Sequence, residues 1–253
     1  MMTLTLDLSA KYWLRNTLSH ENFIVDGFYD IGSAGPNLDA IENFPNLGEL
    51  QHISPNKKRE TLLIDWTNDI LLQQIYFEAT EGLSSKTPQG QIRQIARIIS
   101  KYMGGNARDG KIEEFSYKFR ISELKLKLNS NIIPLGQVSQ GIFYHRALLF
   151  KAICDRIGLS PCTLVRGEYN RAWNIVEPRK QSLTLKTYVL PKETSKEIAR
   201  KPPSKPSDVG MDNVPEEDDE GPIPDTSIVD LMYEPGKLLA LGTHAANEYQ
   251  RMY

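Results

Sequence analysis

The stretch GIFYHRALLFKAICDRIG, residues 141–158, is the strongest structural signal in the chain. Its apolar side chains recur at steps of three and four residues, which is the period of one helix face. The stripe consists of Ala147, Phe150, Ile153, Cys154 and Ile157. Gly158 follows at the position where a left-handed glycine commonly ends a helix. The pattern predicts a helix from about Val138 to Ile157 that lies at the centre of the fold.

Short runs rich in β-forming residues follow this helix. They cover residues 162–165, 172–176, 183–190 and 228–232. A helix followed by several closely spaced strands is typical of an α+β fold with an antiparallel sheet. We therefore predict a central helix packed on an antiparallel sheet.

The residues before the central helix carry a second clear helix signal at 86–103. Thr87 and Pro88 are typical of a helix start, and Gly104 with Gly105 is typical of a helix end. At 114–128 leucines alternate with lysines, which favours an extended segment, with a helix as the alternative.

The first 84 residues mix short apolar clusters with turn residues, which predicts loops and short elements. We expect this segment, residues 1–84, to wrap around a core formed by residues 85–253. Residues 191–226 hold seven of the 15 prolines and the acidic block 216–220. This composition predicts a flexible insertion in the core, and the alternative is that the acidic block binds a basic partner.

Charge and composition exclude several classes of function. The chain has 253 residues with 30 Lys and Arg against 32 Asp and Glu, a formal charge of −2, which disfavours nucleic acid and anionic membrane partners. No secretory signal and no apolar run long enough for a membrane span occur, so we expect a cytoplasmic protein. Two cysteines and four scattered histidines offer no recognised zinc spacing, so no metal and no cofactor are expected.

The nucleophile candidates have ordinary structural explanations. Cys154 lies on the apolar helix stripe and Cys162 begins a strand, so both are expected to be small buried hydrophobic residues. His145, near the start of the central helix, is expected to be a neutral core or hydrogen-bonding residue rather than a catalytic one.

Several motifs in a fixed order carry a resemblance to a known family. They are GIFYHRALLFKA at 141–152, LVRGEY at 164–169, RAWN at 171–174, IVDLM at 228–232 and THAANEY at 243–249. The chain resembles the peptidase-like domain at the C-terminus of armadillo repeat-containing protein 3. That domain is similar to the N-terminal domain of plant Raf-like kinases of the constitutive-triple-response and enhanced-disease-resistance type. More distantly, it resembles transglutaminase-like and papain-like cysteine enzymes.

The resemblance implies a transglutaminase-like or papain-like fold and identifies the positions of a catalytic triad. Such enzymes use a Cys at a helix start, a His before an Ala-Trp pair and an Asp on the next strand. These positions correspond to Phe143, Arg171 and Asp230. Phe143 offers no nucleophile, and the permanently protonated Arg171 cannot act as a base. We expect a catalytically inactive domain in which Arg171 and Asp230 form a charge-assisted hydrogen bond.

The function implied is that of a protein-interaction or scaffold module with a protein partner. The armadillo family member is associated with cilia and sperm flagella, so the partner is expected at the ciliary or flagellar axoneme. One alternative is a cysteine hydrolase or acyltransferase in which Cys154 or Cys162 meets His145 or His244. Another is a small-molecule pocket kept from the old active site; its candidate lining residues are Phe143, Tyr144, His145 and Trp173.

Overall fold

The computed structural model describes residues 2–32, 44–56, 59–107, 115–180, 182–183 and 224–251. The helices are α1 (Met2–Arg15), α2 (Leu47–Gln51), α3 (Ile70–Thr80), α4 (Pro88–Tyr102), α5 (Tyr117–Leu128), α6 (Phe143–Ile157) and α7 (His244–Gln250). The strands are β1 (Thr17–Leu18), β2 (Tyr29–Asp30), β3 (Thr61–Leu63), β4 (Ile132–Pro134), β5 (Leu159–Ser160), β6 (Cys162–Arg166), β7 (Ala172–Val176), β8 (Ser182–Leu183), β9 (Ser227–Val229) and β10 (Leu238–Ala240).

The main sheet has five strands in the order β1-β6-β7-β9-β10, and every neighbouring pair in it is antiparallel. A smaller sheet has the order β2-β3-β4 with β3 and β4 parallel, and β5 pairs with β8. The predicted α+β class with an antiparallel sheet is confirmed.

Helix α6 occupies the centre of the molecule, as predicted. Of its fifteen residues, all except Asp155 and Arg156 are buried. On β7 the Asn174 side chain donates a hydrogen bond to the carbonyl of Ala147, 3.1 Å away, which joins the sheet to the helix. The left-handed Gly158 (φ 76°) ends α6 as expected. The helix begins at Phe143 rather than near Val138, and it is preceded by a 3₁₀ turn at Leu135–Gln137 and the non-helical residues 138–142.

Helix α4 confirms the second helix prediction. The Thr87 side chain accepts a hydrogen bond from the N–H of Gly90, and Pro88 is the first helical residue. Gly104 and Gly105 both adopt positive φ angles (92° and 79°), which an L side chain rarely tolerates. The chain therefore leaves the helix where the glycines predicted it would.

Helix α5 contradicts the prediction of an extended segment at 114–128. Ile121 and Lys125, four residues apart, both turn into the protein, whereas Leu126 is 71% exposed. The alternating leucines and lysines therefore do not mark two faces of a strand. A lysine with a long aliphatic stem takes an inward helical position instead.

The first 84 residues contain more regular structure than predicted, since α1 and α3 are helices of 14 and 11 residues. Their side chains enter the same hydrophobic core as α6; examples are Tyr12, Leu18, Phe28, Leu62 and Ile64. Strand β1 is an edge strand of the main sheet and pairs with β6. The predicted wrapping segment thus supplies part of the core and of the sheet.

Two predictions, a strand and the flexible insertion, fall partly outside the described residues. The run 183–190 is described only at Leu183, where β8 ends, and the insertion 191–226 is described only at residues 224–226. The run 228–232 overlaps strand β9 only at residues 228 and 229, because β9 begins at Ser227 and ends at Val229. Within the described parts of the chain, no helix is long and apolar enough to cross a bilayer.

Candidate functional site

The N-terminus of α6 is closed by a cluster of three aromatic rings. Phe143, the first residue of the helix, is 3% exposed. Its ring centroid lies 5.3 Å from that of Tyr249 and 6.0 Å from that of Tyr233, both in edge-on geometry. The two tyrosine rings are perpendicular to each other at 6.2 Å. These are the preferred distances and angles of packed aromatic pairs, so the cluster is a well-formed piece of core.

Arg171 lies against this cluster. Its guanidinium carbon is 3.8 Å from the centre of the Phe143 ring, and its Nη1 donates a hydrogen bond to the Tyr249 carbonyl at 3.3 Å. The resemblance predicted that these two positions correspond to base and nucleophile, and the structure brings them into contact. The contact is a cation–π interaction, which holds the helix start, β7 and α7 together.

A tight hairpin turn positions Arg171 at the start of β7. Tyr169 and Asn170 have positive φ angles (46° and 71°), and the Arg171 N–H donates to the Glu168 carbonyl at 2.9 Å. Two successive left-handed residues match the hairpin turn whose twist suits antiparallel strands. Asn170 also accepts a hydrogen bond from Arg59 at 2.7 Å, which fastens the turn to the segment before β3.

Asp230 follows β9 and is bound to its own loop. Its carboxylate accepts hydrogen bonds from the backbone N–H groups of Met232 (2.7 Å), Tyr233 (2.9 Å) and Glu234 (3.0 Å). In the described part of the chain no hydrogen bond or ion pair joins Asp230 to Arg171, so the predicted pair is not formed. Three local N–H donors satisfy this carboxylate without a cationic side chain.

Arg146 organises the loops beside the aromatic cluster, and its side chain is fully buried. Its guanidinium donates to the carbonyls of Met103 (2.8 Å), Gly105 (2.7 Å), Gly141 (2.7 Å) and Leu231 (2.7 Å), and to the hydroxyl of Ser100 (3.2 Å). All five N–H donors are used, although no carboxylate accepts from them. Burial lowers the pKa of Arg146 to about 10, so the group stays charged near neutral pH.

The predicted pocket residues do not share one cavity. Tyr144 and His145 are buried on α6. On β7 the buried residues Ala172, Asn174 and Val176 alternate with half-buried Trp173. Because Asn174 faces α6, Trp173 lies on the opposite face of the sheet. The structure therefore separates Trp173 from Tyr144 and His145.

A buried carboxylate, Glu60, accompanies Tyr144 and His145. The Tyr144 hydroxyl donates to Glu60, and His145 Nε2 lies 3.3 Å from Glu60 Oε1, off the line of a good hydrogen bond. The guanidinium of Arg59 is 3.9 Å above the Tyr144 ring. Burial acts to raise the pKa of Glu60, but its contacts with His145 and Tyr144 and the charge of Arg59 outweigh it and lower the pKa to about 2.

His145 is neutral, as the sequence indicated. Its Nδ1 accepts a hydrogen bond from the N–H of Ile142 at 3.2 Å, so Nδ1 carries no proton and Nε2–H faces Glu60. Burial lowers the pKa of His145, which favours the uncharged ring. The single lone pair of the neutral ring is on Nδ1, where it accepts from the helix start, so this imidazole has no lone pair free for proton transfer.

The two thiols are buried, as expected, and among the described residues no hydrogen bond joins either of them to an imidazole. Cys154 and Cys162 are 0% and 1% exposed, and Asn174 donates to the Cys162 sulfur at 3.8 Å. Burial and the adjacent Cys162 thiol raise the pKa of Cys154 well above its usual value. His145 is engaged by Glu60, and His244 lies on the surface beside Glu248 at 3.6 Å.

The structure contains an open groove that none of the predicted site residues lines. It has a volume of about 240 Å³ and lies between α5 and residues 137–140. Among the described residues, no group of three or more His, Cys, Asp and Glu side chains is placed to hold a metal ion.

The family model for the EDR1/CTR1/ARMC3 peptidase-like domain matches residues 5–180. The chain belongs to the EDR1/CTR1/ARMC3 peptidase-like family. It is 39% identical over 175 residues to human armadillo repeat-containing protein 3, an alignment that covers 69% of this chain and 16% of the relative. The family match includes Phe143 and Arg171 but ends before Asp230.

Two plant kinases are also similar to this chain. The probable serine/threonine-protein kinase SIS8 of Arabidopsis thaliana is 30% identical over 171 residues, covering 64% of this chain and 16% of the kinase. The serine/threonine-protein kinase CTR1 of the same plant is 27% identical over 171 residues, covering 63% and 21%. The chain thus spans about a fifth or less of the length of these relatives. No solved structure gives a significant match.

Sequence reasoning missed Glu60, Arg59 and Arg146. Glu60 lies 85 positions before His145, and no local pattern links them. The Arg146 signal is weak but present, because the apolar run ALLF at 147–150 follows it directly and indicates a buried part of the helix.

Proposed function

We propose that this domain lacks acyl-transfer chemistry at its transglutaminase-like site and serves as a protein-interaction or scaffold module. The contact between Arg171 and the Phe143 ring, 3.8 Å apart, carries the proposal. A phenyl ring supplies no nucleophile, and a guanidinium does not accept a proton. The pair fills the place where the two reacting groups of an enzyme of this type would meet.

The arrangement of the elements supports a transglutaminase-like fold for this inactive site. The nucleophile position is at the N-terminus of the central helix, where a thiol would have its pKa lowered by the helix dipole. The base position precedes β7, and the acid position follows β9, the neighbour of β7 in the sheet. The order of these elements supports the assignment of the three positions to a triad, but the side chains are not those of one.

The rival function, a cysteine hydrolase with a displaced nucleophile, has less support. It requires a thiol beside an imidazole, whereas Cys162 contacts Asn174 and His145 contacts Glu60. A raised thiol pKa also opposes formation of the thiolate, which is the reactive form.

For the partner, we propose a protein rather than a nucleic acid or a membrane, since the net charge of −2 offers no general attraction to phosphate groups. By analogy with armadillo repeat-containing protein 3, we propose a cytoplasmic setting and a partner at the ciliary or flagellar axoneme.

Thiol labelling tests the inactive site directly. The native protein is treated with a maleimide dye near pH 7, and a Ser84→Cys variant supplies an exposed reference thiol. We expect Cys154 and Cys162 to label at least about a hundredfold more slowly than this reference, because both are buried. Rapid labelling of either native cysteine, slowed by alanine at His145 or His244, would establish the enzyme alternative.

Restoring the missing residues offers a second test. The double variant Phe143→Cys/Arg171→His places a thiol and an imidazole at the nucleophile and base positions. We expect it to remain without hydrolase activity on a glutamine-containing peptide, since the Asp230 carboxylate is held by three backbone N–H groups instead of orienting an imidazole. Ammonia release above the wild-type rate would contradict this role of Asp230.

A further inference from the structure

Helix α5 exposes two large apolar side chains on one side. Phe119 is 67% exposed and Leu126 is 71% exposed. They are seven residues apart, which is two helical turns or roughly 10 Å along the axis. Ile121 and Lys125 anchor the other side of α5 in the protein. The two exposed side chains form a ridge that the packing of α5 does not require.

The groove described above borders this ridge. Its apolar lining comes from Ile121, Leu124 and Val138. Its α5 wall also includes the charged residues Arg120, Glu123 and Lys127, and the two cations are the sequence neighbours of Phe119 and Leu126. The ridge, the two cations and the groove therefore make one continuous surface on α5, which we term the α5 surface.

The α5 surface is cationic although the whole chain is not. Among the exposed residues of α5, three carry positive charge (Lys118, Arg120 and Lys127) and one carries negative charge (Glu123), so the balance is +2. Glu123 pairs with Arg120 at 2.9 Å, so Lys118 and Lys127 supply the excess charge. The formal net charge of the chain is −2, so the charge of α5 is opposite in sign to that of the whole chain.

We infer that the α5 surface docks an acidic amphipathic helix of another protein. This inference rests on the interaction role proposed above and adds the place and the chemistry of the partner. Leucine-like side chains at steps of three, four and seven residues would fill the groove and cover the ridge. Carboxylates beside them would face the cations of α5, giving orientation and faster association. A second copy of α5 would bring like charges together and is disfavoured.

Peptide binding to the whole chain tests this inference. The probe is a fluorescein-labelled peptide of about 18 residues, five helical turns, with leucines at i, i+3, i+4 and i+7 and glutamates between them. A second peptide has lysines in place of the glutamates. Fluorescence anisotropy should show binding of the acidic peptide at least about tenfold tighter than that of the basic one, and weakened by salt.

Two double variants and a matched control locate the binding surface. Phe119→Ser/Leu126→Ser and Arg120→Glu/Lys127→Glu should each weaken binding of the acidic peptide at least about tenfold. The control is Ile70→Ser/Phe77→Ser on α3, whose two exposed side chains are also seven residues apart. It should leave binding unchanged, and circular dichroism should show that all three variants are folded.

Three results would overturn the docking inference. These are equal binding of both peptides, no binding of the acidic one, and equal loss in the α3 control. Binding of vesicles of phosphatidylcholine and phosphatidylserine in equal parts, lost in the α5 variants, would assign a membrane surface instead. If the acidic peptide does not bind but the native thiols label slowly, only the docking surface is rejected. Rapid labelling of the native thiols rejects the inactive site instead.

Discussion

Replacing Arg146 by lysine tests how the loops around the start of α6 are held. The buried guanidinium gives five hydrogen bonds, four of them to backbone carbonyls. A lysine ammonium has three donors, so at least two acceptors lose their partner. Because a hydrogen bond to a charged group contributes about 1.5–3 kcal/mol, we expect Arg146→Lys to lower the free energy of unfolding by roughly 4 kcal/mol.

The measurement is urea unfolding followed by tryptophan fluorescence and by circular dichroism, with the two curves required to coincide. A loss of this size should lower the midpoint by more than about 1 M urea. The control is Arg97→Lys, the same exchange at an exposed position of α4, which should change stability by less than about 0.5 kcal/mol. A loss below about 1 kcal/mol for Arg146→Lys would refute the view that these five bonds organise the loops.

Two further predictions concern stability. In Gly136→Ala the new Cβ would lie 2.3 Å from the Leu72 nitrogen and 2.7 Å from the Asp69 carboxylate oxygens. Thermal unfolding should therefore show that the free energy of unfolding falls by at least about 2 kcal/mol. A fall below about 0.5 kcal/mol would contradict this packing. Burial raises the pKa of Asp155 to about 6 although the Lys151 charge opposes this. The folded protein therefore binds the carboxyl proton of Asp155 more tightly than the unfolded chain does, and the free energy of unfolding should fall as pH rises from about 4 to about 6. Asp155→Asn should lack this part of the pH dependence in urea midpoints taken across that range, and an equal fall in the variant would assign it to another group.

The helices that the sequence predicted correctly are those with local signals. In α4 the cap, the proline, the apolar period and the final glycines are all within a few positions of one another, as are the hydrogen bonds they set. Helix α5 was misread because its leucines and lysines fit a period of two as well as one of four. Only the burial of Lys125 shows which period the fold uses.

The candidate site divides in the same way. The identities of Phe143 and Arg171 are enough to exclude a nucleophile and a base at these positions, since nucleophilicity and basicity are properties of the side chains themselves. Their direct contact, and the engagement of Asp230 by its own loop, depend on how β7, β9 and α7 pack around the start of α6. No pattern in the sequence reports those distances.

The amino-acid sequence alone was enough to predict the α+β class, the central helix with its glycine stop, and the absence of a nucleophilic or basic side chain at Phe143 and Arg171. The packing of distant segments brings Glu60 to face His145, gives Arg146 its four carbonyl partners, and turns Phe119 and Leu126 of α5 outward. Secondary structure and side-chain chemistry are encoded over a few neighbouring residues. The partners of a buried charge come from segments that are distant in the sequence and meet only when the core forms. They have to be present there, because an unpaired buried polar group costs more free energy than a single hydrogen bond contributes.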